Sequence, residues 1–122
     1  MAKTIMVVDD SATLRQVVGI ALRGAGYDVI EGEDGKDALK KLTGQKVHLI
    51  ISDVNMPNMD GITFVTEVKK LPAYKFTPVI MLTTEAGEDK KARGQAAGAK
   101  AWVVKPFKPD QMLNAVSKLI LP

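Results

Sequence analysis

Ile5-Met6-Val7-Val8-Asp9-Asp10 and His48-Leu49-Ile50-Ile51-Ser52-Asp53 are two short apolar runs that end on carboxylates. Both are rich in Val and Ile, which predicts strands buried on both faces of a parallel sheet. Val79-Ile80-Met81-Leu82 followed by Thr83, and Ala101-Trp102-Val103-Val104 followed by Lys105, repeat the pattern. In open α/β sheets, ligands bind beyond the carboxyl ends of the strands, beside the point where strand order reverses. The acids, the hydroxyl and the ammonium all stand where such a ligand would be met.

Amphipathic segments separate these runs. Ser11 is placed to cap a helix with Leu14, Val17, Val18, Ala21 and Leu22 on one face, ended by Gly24 and Gly26. Residues 27–30 read as a second strand, and Asp34-Gly35 opens a helix with Ala38, Leu39 and Leu42 inward, closing at Gly44. The third strand, residues 47–52, leads into the turn-rich loop Asn55-Met56-Pro57-Asn58-Met59-Asp60-Gly61. Phe64, Val65, Val68 and Leu71 then stripe a helix that stops before Pro72. Residues 77–82 form the fourth strand, 86–97 a helix whose only apolar side chains are alanines, and 100–104 the fifth strand. Pro109 stands at the first position of a last helix with Met112, Leu113, Val116, Leu119 and Ile120 inward.

Five βα units with short, right-handed connections give an α/β fold, a doubly wound five-stranded parallel sheet with helices on both faces. The flavodoxin-like strand order 2-1-3-4-5 is one of the two common solutions, and in that order strands one and three are side by side at the switch point. Asp9, Asp10 and Asp53 then converge, with Thr83 and Lys105 on the next two strands.

The bulk numbers exclude several classes. A chain of 122 residues is expected to be one domain with no fused output module. It has no cysteine, so disulfides and thiolate metal sites are excluded. No apolar stretch approaches the roughly 20 residues of a membrane span, and Asp9-Asp10 come too early for a signal peptide. A cytoplasmic monomer that binds neither membrane nor nucleic acid is the expectation. The net charge of +3 is spread widely and aromatics are only 5%, which does not suit nucleic-acid stacking. Lys90, Lys91 and Arg93 read as a solvated helix face, with an acidic protein partner for their cluster with Lys100 as the alternative; His48 reads as a partly buried structural residue, and the six methionines as core and loop filling.

Three crowded carboxylates repel, and at least one should hold its proton more tightly unless a cation intervenes. One Mg²⁺ and the Lys105 ammonium balance them, and the acidic oxygens suit that hard cation. A phosphoryl donor then meets a carboxylate nucleophile, giving an aspartyl phosphate. Asp53, alone at its strand end, is the candidate nucleophile. Asp9 and Asp10 read as metal ligands, one of them through water, and Thr83 as a hydroxyl donor to a phosphoryl oxygen.

Asp9-Asp10, Asp53, the 55–61 loop, Thr83 and Lys105-Pro106-Phe107 together resemble the response-regulator receiver domain, most of all its single-domain chemotaxis branch, the CheY type. The match runs through nearly the whole chain. The resemblance implies that Asp53 accepts phosphate from a histidine kinase. It implies Mg²⁺ held by Asp10, Asp53 and the backbone carbonyl of Asn55, with Asp9 on a metal-bound water. Lys105 would pair with the phosphoryl group, the Lys105-Pro106 peptide would be cis, and Thr83 and Trp102 would form the switch. Asn55 and Glu85 match the type whose signal decays fast. Two positions depart from the pattern: Trp102 stands where Tyr or Phe is usual, and Thr84 where Ala is usual.

The expected output is a phosphorylation-dependent contact with the flagellar motor switch or another effector, with a phosphatase as a further partner. The alternatives are a phosphorelay intermediate or a twitching-motility regulator. A haloacid-dehalogenase-like phosphohydrolase is more remote, since it needs a DxD motif and a cap insertion. A flavodoxin-like electron carrier is disfavoured because Asp9-Asp10 would repel the FMN phosphate.

Overall fold

The computed structural model describes residues 2–42, 44–83, 98–105 and 107–120. Its strands are β1 (Thr4–Val8), β2 (Asp28–Gly32), β3 (Leu49–Asp53), β4 (Val79–Thr83) and β5 (Ala101–Val104). They pair in parallel in the order β2-β1-β3-β4-β5, so the flavodoxin-like topology expected from the sequence is observed. The described helices are α1 (Ala12–Gly24), α2 (Gly35–Leu42), α3 (Gly61–Lys70) and α4 (Pro109–Leu119), with a short 3₁₀ turn at Pro72–Tyr74. The helix expected over 86–97 lies outside the described residues.

Side chains alternate across a strand, so each central strand serves two cores. Ile5, Val7, Leu49, Ile51, Ile80 and Leu82 point to one face, where Val18 and Leu22 of α1 and Met112 and Val116 of α4 cover them. Met6, Val8, Ile50, Val79 and Met81 point to the other face, under Ala38 and Leu42 of α2 and Phe64, Val65 and Val68 of α3. Burial on both faces explains why the runs are apolar without interruption.

Helix ends follow local chemistry. The Ser11 hydroxyl accepts from Leu14 N–H at 3.2 Å, and Asp60 caps α3 by accepting from Thr63 N–H at 2.7 Å. Pro109 opens α4 as expected, and the Gln111 side chain accepts from Lys108 N–H at 2.9 Å. His48 is structural: its Nδ1 accepts from Thr4 N–H at 3.0 Å and so ties β3 to β1.

Three expectations need correction. Val17 is not on the inner face of α1 but 47% exposed, because it sits about 100° round the helix from the buried Val18. Leu71 is not part of the inner stripe of α3; it is that helix's C-cap and is 38% exposed where the chain turns into Pro72. Strands β2, β3 and β4 each end one or two residues later than expected, at Gly32, Asp53 and Thr83. Asp53 and Thr83 are thus the last residues of their strands rather than the first of the loops, whereas Asp9, Asp10 and Lys105 follow theirs. Among the described residues, no helix is long and apolar enough to cross a membrane.

Candidate functional site

The carboxyl ends of β1 and β3 meet at the switch point, and one oxygen from each of Asp9, Asp10 and Asp53 can lie within 4.8 Å of the others. Their surroundings differ. Asp9 is fully buried and Asp53 nearly so, whereas Asp10 points to solvent. Ser11 N–H donates to one Asp9 oxygen at 2.8 Å, and Lys105 Nζ donates to the other at 2.9 Å. The same ammonium stands 3.4 Å from Asp53 Oδ2. Lys105 follows the last residue of β5, and its N–H donates to the Thr83 carbonyl at 2.7 Å, so two strand ends fix its position.

Burial, and then the charge of Asp9, push the Asp53 carboxyl above the ordinary carboxylate range; Lys105 and the Val54 N–H only partly oppose them. Burial works against the Lys105 ammonium as well, but its hydrogen bond and charge contact with Asp9, then those with Asp53, more than offset this and raise its pKa. Three acids face one ammonium, so the described site is short of positive charge. Hard carboxylate oxygens at this separation suit a divalent cation with oxygen preference.

Thr83 ends β4 and is buried. In register Met81 pairs with Trp102 and Thr83 with Val104, so by strand alternation Thr83 and Trp102 lie on the same face of the sheet, on neighbouring strands. Trp102 is half-buried against the core under α2 and α3, and its buried indole Nε1 has no acceptor among the described residues. Asn55 lies two residues beyond Asp53 in the loop to α3, exposed. Thr84, Glu85 and Pro106, which carried other expectations, lie outside the described residues.

That loop is held tightly at its base. Gly61 N–H donates to the Val54 carbonyl at 2.8 Å, and a Cβ on Gly61 would fall 1.9 Å from the Asp53 carbonyl oxygen. Only glycine allows α3 to start this close to the end of β3.

Residues 5–117 match the family described as the response regulator receiver domain. The chain belongs to that family. This receiver domain is 38% identical over 112 residues to the protein PilG of Pseudomonas aeruginosa, which covers 92% of this chain and 83% of PilG. The chemotaxis protein CheY4 of Vibrio cholerae has a similar solved structure, with a TM-score of 0.95 and 44% identity over 98% of this chain and 100% of that one. The receiver domain of a sensor histidine kinase from Pseudomonas aeruginosa is 25% identical, with a TM-score of 0.89 over 98% of each chain. That structure has a magnesium ion coordinated in its active-site cleft.

Reading the sequence missed three participants. Arg15 donates through Nη1 to the Asp9 carbonyl and through Nε pairs with Glu31 at 3.3 Å. A cation near the start of α1, where the helix dipole disfavours it, was the available signal. Asp34 and Asn58 join the loops after β2 and β3 by a hydrogen bond of 2.9 Å. No local pattern announces that contact.

Proposed function

We propose that this receiver domain is a phosphorylation-activated signalling protein of a two-component system, acting in the cytoplasm. Asp53 accepts a phosphoryl group from a histidine kinase. The observation that carries this reading is the unequal hold of Lys105 on two buried carboxylates, with Asp9 at 2.9 Å and also capped by Ser11 N–H, and Asp53 at 3.4 Å. Asp9 is committed to holding the lysine, which leaves Asp53 the buried carboxylate freer to act as nucleophile.

Asp10, Asp53 and the Asn55 carbonyl would hold Mg²⁺, with Asp9 reaching it through water. When bound, that ion supplies the positive charge the carboxylates and a phosphate require. The Mg²⁺ in the cleft of the similar kinase receiver supports this assignment. An Asp53 oxygen attacks phosphorus while the bond to the donor's imidazole nitrogen breaks, and the nitrogen keeps the electron pair. Lys105 turns its ammonium onto the phosphoryl oxygens, and the Thr83 hydroxyl donates to another. Trp102, on Thr83's face of the sheet, reads the change out to the surface. The domain catalyses only its own phosphotransfer and dephosphorylation, with Asn55 and Glu85 setting a fast decay.

The likeness to CheY4 favours chemotaxis, with the flagellar motor switch as effector and a phosphatase as a further partner. Loss of directional control in cells carrying Asp53→Asn supports this output, and unchanged swimming contradicts it. The likeness to PilG favours the second reading, a phosphorelay intermediate or twitching-motility regulator.

Intact mass after incubation with Mg²⁺ and a small acyl-phosphate donor tests the chemistry. One phosphoryl adduct is expected on the wild type and none on Asp53→Asn or in chelator. An adduct that survives Asp53→Asn would refute the assignment.

A further inference from the structure

Asp34 lies far from the acidic cluster in sequence and accepts three hydrogen bonds at once. Its Oδ1 accepts from Asp37 N–H at 2.8 Å, and its carbonyl accepts from Ala38 N–H at 3.0 Å, so it caps α2. Its Oδ2 accepts from the Asn58 side-chain amide at 2.9 Å. These donors hold the Asp34 carboxyl below its ordinary range, the Asp37 N–H first and Asn58 next. Asn58 is the turning point of the loop after Asp53. It has φ of 68°, and Met59 N–H donates back across it to the Pro57 carbonyl at 2.7 Å. Beside the pair, the Met59 side chain rests on Gly35, where a Cβ would approach to 2.8 Å.

The loop from Val54 to Gly61 is therefore closed at its base by Gly61 and clasped at its tip by Asp34, and Asn55 lies between the two fixed points. We propose that Asp34 is a positioning residue for the acidic site, acting through Asn58 to hold the Asn55 carbonyl where a metal ion would need it. This proposal rests on the metal reading above. A buried capping carboxylate on one helix thus sets the backbone of a loop two strands away.

The pair can be broken and rebuilt. Asn58→Gly keeps the backbone turn and deletes the amide. Asp34→Ala breaks it from the other side, because it removes the acceptors of both the Asp37 N–H and the Asn58 amide. The double variant Asp34→Asn with Asn58→Asp restores both bonds with donor and acceptor exchanged and the net charge unchanged.

Calorimetric Mg²⁺ titration, with urea unfolding of the same proteins, is the test. Outer-shell contacts typically change metal affinity by roughly 10- to 100-fold, and this one acts through a loop, so each single variant should raise the Mg²⁺ Kd by about 3- to 10-fold. The exchanged pair should return to within about 2-fold of the wild type. An unchanged Kd in Asn58→Gly, with or without a lower urea midpoint, would reduce the clasp to a structural contact and overturn the proposal. So would failure of the exchanged pair to recover affinity. A wild type that binds no Mg²⁺ would overturn the metal reading itself, and this proposal with it.

Discussion

The ends of β1 and β3 are neighbours, yet the molecule holds them by different means. At the end of β1 the side chain is fastened: the Asp9 carboxylate takes Lys105 and Ser11 N–H, and its backbone takes Arg15 and Gly32. At the end of β3 the backbone is fastened, by the close approach of Gly61, the Asp60 cap and the Asp34–Asn58 clasp. The Asp53 carboxylate is the less engaged of the two. Charge fixes one strand end and shape the other. A carboxylate that must react profits from a rigid backbone and a lightly held side chain.

The largest break of this comparison is expected at Gly61. An added Cβ would meet the backbone of β3 rather than a movable side chain. Gly61→Ala should cost about 3 kcal/mol in urea unfolding, at the upper end of overpacking effects. Lys105→Ala attacks the other strand end by leaving Asp9 buried beside Asp53 without its ammonium. Breaking a fully buried pair costs roughly 3–5 kcal/mol, but Lys105 is partly exposed, so about 2 kcal/mol is expected, less when Mg²⁺ is present. Ser11→Ala and Asp60→Ala remove one cap at each strand end and should each cost about 1 kcal/mol.

A pH comparison sharpens the contrast without a large loss. Folding raises the Asp53 pKa, so the native state binds this proton more tightly than the unfolded chain does. Stability therefore falls as pH rises from the ordinary carboxylate range through the raised value. In metal-free buffer, Asp53→Asn should raise the urea midpoint at neutral pH, and the gain should vanish at about pH 4 and below. Folding lowers the Asp34 pKa, so its contribution has the opposite sign: present at neutral pH, and lost as pH falls through the folded value. Asp34→Asn should accordingly lower the midpoint at neutral pH and converge with the wild type in acid.

The strands and their terminal acids were legible because burial on both faces demands unbroken apolar runs, and chemistry in this topology gathers at strand ends. Strand order followed from short crossovers and the resemblance. Shoulder positions were less legible: Val17 and Leu71 are apolar and correctly spaced, yet helix rotation and the turn at Pro72 leave them exposed. The contacts of Arg15 and of Asp34 with Asn58 were not legible at all. They join loops and helix ends through the tertiary structure, and a carboxylate in a turn looks the same whether it only caps a helix or also clasps a second loop.

The central claim is that Asp53, and neither of the acids ending β1, takes the phosphoryl group. Borohydride reduction of the phosphorylated protein, followed by peptide sequencing, reads this directly, because an acyl phosphate on aspartate is reduced to homoserine. Homoserine at position 53 alone is predicted, with Asp9 and Asp10 intact. Homoserine at position 9 or 10, or a phosphoryl adduct that yields none, would contradict it.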